Sequence, residues 1–181
     1  MGYSVLMINV PKDGIYPPLF PHLFKVNPYI PSDCSKFCKK SDMVQFNKYT
    51  NKFLVASDQL FRPWLYTKIG GYPTLEWVND SKIKAGYAIS FGLDYFEGDE
   101  ELRAYMGYFL KKFDYLSVRE NSGLDILKRD FGIENAEYAI DPVFLMDEKH
   151  YDKLIDNATV PLPKNKYVLT YLLDYNDENS R

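Results

Sequence analysis

Four consecutive residues, Ser117-Val118-Arg119-Glu120, combine a hydroxyl, a guanidinium and a carboxylate at a predicted strand end. The apolar residues before Arg119 predict a buried strand, and apolar residues at helical spacing after it predict an amphipathic helix. Ser117 and Glu120 have the S-x-x-E spacing of a capping box, which would place Arg119 in the first turn of that helix.

Arg119 has two interpretations. A helix N-terminus at the carboxyl end of a parallel strand offers free N–H groups, and ligands of open α/β sheets gather at that edge. An arginine there is well placed to bind a phosphate or carboxylate. The alternative is a structural ion pair with Glu120 or another acid, and position and chemistry alone leave both open.

A second polar group, Ser57-Asp58-Gln59, directly follows the predicted strand 53–57. It offers a hydroxyl, a carboxylate and an amide side by side at another strand end, which favours a functional site. The alternative is a helix N-cap, because serine and aspartate are preferred there.

Two further strand ends carry similar signals, Ser90-Phe91-Gly92 and Asp141-Pro142. Carboxyl ends of parallel strands meet at one edge of a sheet, so these groups are expected to lie near each other. That company favours anion binding over a structural ion pair for Arg119.

The elements that would position these groups alternate between strand and helix, which predicts an α/β fold with a Rossmann-like, doubly wound parallel sheet. The predicted strands are 4–10, 53–57, 84–92, 113–118, 136–140 and 166–173; the predicted helices are 41–49, 99–112, the one from the capping box to Gly132, and 147–155. A proline-rich surface loop is expected over 11–40. Domains are predicted at 1–160 and 161–181, the latter a proline linker and the first strand of a second half.

Composition excludes several classes. A net charge of −3 argues against nucleic-acid binding, and no apolar run is long enough to span a membrane. Cys34 and Cys38 lack the histidines or further cysteines of a zinc site. His22 is expected to be a surface residue. We therefore predict a cytoplasmic protein with reduced thiols, no metal and no cofactor.

The residues together resemble the polysaccharide pyruvyl transferase family. The resemblance covers about residues 41–175 and rests on four pieces in the same order and spacing: Ala56-Ser57-Asp58-Gln59-Leu60, Gly86-Tyr87-Ala88-Ile89-Ser90-Phe91-Gly92, Leu116-Ser117-Val118-Arg119-Glu120-Asn121-Ser122-Gly123 and Ile140-Asp141-Pro142-Val143-Phe144-Leu145.

The resemblance implies a GT-B-like architecture, with two Rossmann-like halves facing a cleft. It implies transfer of pyruvyl from phosphoenolpyruvate to two sugar hydroxyls as a ketal, in surface-polysaccharide biosynthesis. Arg119 and Asp58 would be catalytic, with Arg119 as the cationic clamp. The same two residues and four others would bind substrate: Ser57, Gln59, Ser90 and Glu120.

The sequence also departs from the family pattern. Ala56 stands where glycine is usual, and Phe61-Arg62-Pro63 replaces a tryptophan followed by Asn-Pro. The first strand and helix and most of the second half are expected to be missing, so the chain would be a fragment with little or no activity alone.

Two other functions compete with this one. The chain could be a non-catalytic module of the same fold that binds a sugar, an anion or another chain. A nucleotide-sugar-binding half is disfavoured, because neither a glycine-rich fingerprint nor a D-x-D motif is present. Exposed sheet edges would favour a homo-oligomer or an aggregation-prone monomer.

Overall fold

The computed structural model of the chain describes residues 40–156 and 163–169. Its strands form one parallel sheet in the order β1-β2-β3-β4. They are β1 (Lys52–Ala56), β2 (Ile83–Ile89), β3 (Tyr115–Val118) and β4 (Glu137–Tyr138); the helices are α1 (Pro63–Ile69), α2 (Glu100–Leu110), α3 (Asn121–Phe131) and α4 (Glu148–Asp156), with 3₁₀ helices at Lys40–Lys48, Tyr72–Thr74 and Pro142–Leu145.

This alternation confirms the predicted α/β fold with a parallel sheet. Within the described range the strand order runs in one direction without reversal. The doubly wound arrangement and the GT-B half therefore stay predictions.

Helix α2 confirms the predicted helix 99–112. The Asp99 side chain accepts a hydrogen bond from the backbone N–H of Leu102 at 2.8 Å, and Glu100 and Glu101 occupy the first turn. Both features complement the positive end of a helix. Helix α1 is not among the predicted elements, although Pro63 at its first position is a recognised start signal.

The capping box predicted for α3 is wrong. The N-cap of α3 is Glu120, without a side-chain cap, so Arg119 lies before the helix. The Ser117 hydroxyl instead accepts from Ala88 N–H (3.0 Å) and donates to the Gly86 carbonyl (3.2 Å). The β2–β3 register shifts there, and Ser117 satisfies backbone groups that an irregular ladder leaves without partners. The predicted C-cap is confirmed, because Gly132 adopts a left-handed conformation.

The core lies against one face of the sheet. Phe61, Met106 and Val118 are fully buried, and the stacked rings of Phe91 and Phe131 lie 5.9 Å apart. No described helix packs against the opposite face at its centre. Leu54 and Tyr115 flank Ala85 in one rung of the sheet and are 66% and 70% exposed. The prediction that strands 53–57 and 113–118 are buried therefore holds for one face only.

The described residues divide into two compact units between Leu145 and Met146. In the second unit, α4 confirms the predicted helix at 147–155. Residues 166–169 form no strand, which contradicts that part of the predicted strand 166–173; they are exposed, and no described strand pairs with them. Among the residues described, no helix is long and apolar enough to cross a membrane.

Several predictions lie outside the described residues. They are the strand at 4–10, the surface loop at 11–40 apart from Lys40, His22, Cys34, Cys38, the linker proline Pro161, and residues 170–173 of the last predicted strand.

Candidate functional site

The polar groups that follow the strands meet at the carboxyl edge of the sheet. Arg119, after β3, forms ion pairs with residues that follow β1 and β4, the strands on either side of the β2–β3 pair. The edge rule therefore predicted correctly which groups come together. It did not predict the contacts between them.

Arg119 is the centre of this cluster. Its Nη1 donates to Asp141 Oδ2, and its Nε donates to Glu120 Oε1 at 3.2 Å. Its Nη2 lies 3.9 Å from Asp58 Oδ1, an ion pair too long for a hydrogen bond. Partial burial lowers the pKa of Arg119, but the hydrogen bonds to Asp141 and Glu120 outweigh it and raise the pKa above its ordinary value. The guanidinium is thus permanently charged and held on two of its three nitrogens.

The turn Ser57-Asp58 presents the second polar group in a strained conformation. Both residues have positive φ, 57° and 71°, which costs about 1–3 kcal/mol for a residue other than glycine. Backbone hydrogen bonds hold the turn: Ser57 N–H donates to the Tyr87 carbonyl and Ser90 N–H to the Asp58 carbonyl, each at 2.9 Å. The predicted alternative of a helix N-cap is wrong, because the N-cap of α1 is Arg62.

Gln59 and Ser90 lie beside this turn, and both side chains bond groups of the surrounding loop. Gln59 Oε1 accepts from Arg62 Nη1 at 3.2 Å. Ser90 is 1% exposed, and its hydroxyl accepts from Gly92 N–H at 2.9 Å. Ser90 therefore supports the loop from beneath, and nothing in this geometry presents its hydroxyl to a ligand.

Asp141 is the residue that the sequence reasoning left out of the site. Its Oδ1 accepts from Val143 N–H at 3.0 Å, and its Oδ2 accepts from Arg119 and, at 3.5 Å, from the Ser57 hydroxyl. The hydrogen bond from Val143 N–H lowers the pKa of Asp141 most, and the hydrogen bond from Arg119 lowers it further. The sequence did contain a signal for Asp141, namely Asp-Pro directly after a predicted strand. In such turns the aspartate side chain often accepts a hydrogen bond from the backbone N–H two residues later.

Three carboxylates thus surround one guanidinium. Such a group can donate N–H bonds to an anion through Arg119 and accept hydroxyl protons through its carboxylates. In the described part of the chain, no group of three or more His, Cys, Asp or Glu residues is arranged to hold a metal ion. A depression on the open face of the sheet, between Leu54, Tyr87 and Tyr115, includes none of the predicted site residues.

Comparison with known proteins supplies the family. Residues 6–181 match the family model described as polysaccharide pyruvyl transferase, a longer range than the four motifs cover. No curated protein and no solved structure matched the chain. With nearly all of its length matched, the chain belongs to the polysaccharide pyruvyl transferase family.

Proposed function

We propose that the carboxyl edge of this sheet is a substrate-binding wall for pyruvyl transfer from phosphoenolpyruvate to a sugar in surface-polysaccharide biosynthesis. In this reaction carbon 2 of the donor forms two bonds to sugar oxygens and loses its bond to the phosphate oxygen. One hydroxyl proton ends on the former methylene carbon, and the other leaves with inorganic phosphate.

One observation carries the proposal: Arg119 Nη2 has no hydrogen-bond partner among the described residues, while Nε and Nη1 are both held. A fixed guanidinium with free N–H donors suits a phosphate or carboxylate. We assign this donor-binding role, and electrostatic stabilisation of the leaving phosphate, to Arg119.

The strained turn supports a role toward the acceptor. The Asp58 side chain is 81% exposed, and among the described residues it accepts a hydrogen bond only from its neighbour, Gln59 N–H, at 2.8 Å. An exposed carboxylate beside Arg119 can accept a hydrogen bond from a sugar hydroxyl and take its proton. Ser57 and Glu120 complete this wall, and Gln59 and Ser90 support the loop that carries it.

Titration with phosphoenolpyruvate tests the proposal. A ligand that binds only the folded chain stabilises it and so raises its melting temperature. The stabilisation is about 2.7 kcal/mol when the free ligand concentration is one hundred times the dissociation constant. We expect this shift in the wild type and a much smaller one in Arg119→Ala. Arg129→Ala is the matched control, because Arg129 pairs with its neighbour Asp130 on α3. Equal shifts in Arg119→Ala and the wild type would remove Arg119 from the donor site.

A non-catalytic sugar-binding module of the same fold is the second candidate. Three carboxylates surround a single guanidinium, which favours this candidate. Carboxylates accept hydrogen bonds from sugar hydroxyls but repel an anion. Neutral hexoses would then raise the melting temperature, and phosphoenolpyruvate would not.

A further inference from the structure

We propose that Asp141 is a positioning residue that aims Arg119, so that its Nη2 edge faces the anionic substrate. This inference rests on the proposed function, in which Arg119 binds the donor. It assigns different tasks to the three carboxylates around the guanidinium: Asp141 and Glu120 hold it, and Asp58 yields to the ligand.

Asp141 is itself fixed. Its Oδ1 accepts from Val143 N–H at 3.0 Å, which leaves Oδ2 directed at Arg119. Its side chain is 25% exposed, against 81% for Asp58, so fewer conformations are open to it. A carboxylate tied to its own backbone loses little further freedom when it binds a guanidinium.

Two of the three guanidinium nitrogens of Arg119 are already hydrogen-bonded. Asp141 bonds Nη1 and Glu120 bonds Nε. In the described part of the chain, Asp58 is the one carboxylate near Nη2, at 3.9 Å and without a hydrogen bond. An incoming anion can therefore displace Asp58 while both fixed bonds remain.

Asp141 also joins separate parts of the sheet edge. It follows β4, yet it accepts from Arg119, which follows β3, and from Ser57, which follows β1, at 3.5 Å. The same oxygen therefore sets Arg119 relative to the strained turn. A donor bound to Nη2 would lie on the side where Asp58 stands.

A pair of variants separates positioning from charge. Asp58→Asn and Asp141→Asn each remove one negative charge that lies beside the Arg119 guanidinium. Each variant keeps an oxygen that can accept the local backbone N–H. If only charge matters, both bind phosphoenolpyruvate more tightly. We expect Asp58→Asn to bind up to about fivefold more tightly and Asp141→Asn to bind at least about tenfold more weakly.

Two further measurements test that Asp141 acts through Arg119. In an Arg119→Ala background, Asp141→Asn should change phosphoenolpyruvate affinity by less than about twofold, because the group that it positions is gone. Asp141→Glu keeps the charge but moves the oxygens by one methylene, so it should also weaken binding; it replaces Asp141→Asn if that variant does not fold.

The side-chain Nε–Hε signal of Arg119 gives a readout that needs no ligand. The sequence has five arginines, and loss of one signal in Arg119→Lys assigns it. We expect this group to be ordered in the wild type and markedly more mobile in Asp141→Asn.

The outcomes are distinct. Tighter binding in both asparagine variants, or the same loss with and without Arg119, overturns the positioning role while the proposed function stands. If the wild type binds no phosphoenolpyruvate, the proposed function fails. The Nε–Hε signal alone then tests whether Asp141 positions Arg119. Loss of order in Asp141→Asn then supports the positioning role, and unchanged order overturns it.

Discussion

Ion-pair clusters lie at both edges of the sheet, and they are built in opposite ways. At the amino edge, Asp80 pairs with Lys84 at 3.1 Å and with Lys112 at 2.8 Å. There one carboxylate serves two cations, and Lys84 is 1% exposed. At the carboxyl edge, one cation serves three carboxylates, and Asp58 is largely exposed.

The backbone differs in the same direction. Ser57, Asp58 and Ala88 adopt positive φ at or near the carboxyl edge, whereas Asp80, Lys84 and Lys112 do not. Strained residues persist only when surrounding structure holds them, and they concentrate at functional sites. The comparison suits an amino-edge cluster that stabilises the fold, and it supports the proposal that the carboxyl-edge cluster binds a ligand.

The largest expected effect is at the amino edge. Lys84→Ala should destabilise the chain by about 2–4 kcal/mol, because it empties the volume of a buried side-chain stem. Lys84→Met is the matched control: it keeps the stem, and we expect a change within about 1 kcal/mol. Urea unfolding measures both. If Arg119→Ala proved as destabilising as Lys84→Ala, the contrast between the two edges would be lost.

A pair of glycines gives an intermediate effect. Gly92 has φ +76°, and a Cβ there would meet Gln59 Oε1 at 2.8 Å and Arg62 Cδ at 2.9 Å. Gly132 has φ +64°, with nothing within 4 Å. We expect Gly132→Ala to cost about 1 kcal/mol for backbone strain alone, and Gly92→Ala about 2 kcal/mol, since side chains must also move. Equal urea midpoints for the two variants would show that the loop after β2 is not tightly packed.

The smallest effect is a shared response to acid. Hydrogen bonds from Lys112 and Lys84 lower the pKa of Asp80, and those from Val143 N–H and Arg119 lower that of Asp141. A carboxyl whose pKa is lower in the folded state stabilises it above the unfolded pKa, about 4, and this stability is lost as pH falls through the folded pKa.

Asp80→Asn and Asp141→Asn should therefore melt below the wild type at pH 7, and the difference should shrink at pH 3. Melting curves at both values check this. A difference that grows in acid would contradict the ion pairs at that edge.

The sequence predicted the sheet well because strand and helix periodicities are local signals. The helix that begins after Asp99 forms as expected, and the residues after β1, β3 and β4 meet at one edge because the carboxyl ends of parallel strands lie at the same edge. The family motifs pointed to the same edge.

What failed depended on contacts and burial that the local residue pattern does not show. Ser117 has capping-box spacing, but its hydroxyl bonds an irregular part of β2, about thirty residues away in sequence. Ser90 was predicted to line the site because it follows a strand, yet the Gly92 N–H and the packing around it hold it inside. Asp141 was undervalued because its importance lies in accepting from Arg119 and Ser57 together.

The contact between Ser57 and Asp141 also has a consequence for folding. It joins residues 84 positions apart, so it closes a long loop whose entropy must be offset by contacts formed elsewhere. The cluster is therefore expected to form late, after β1 to β4 have paired. A probe at Asp141 would then report completion of the whole sheet, whereas a probe on the local helix α2 would change earlier in refolding.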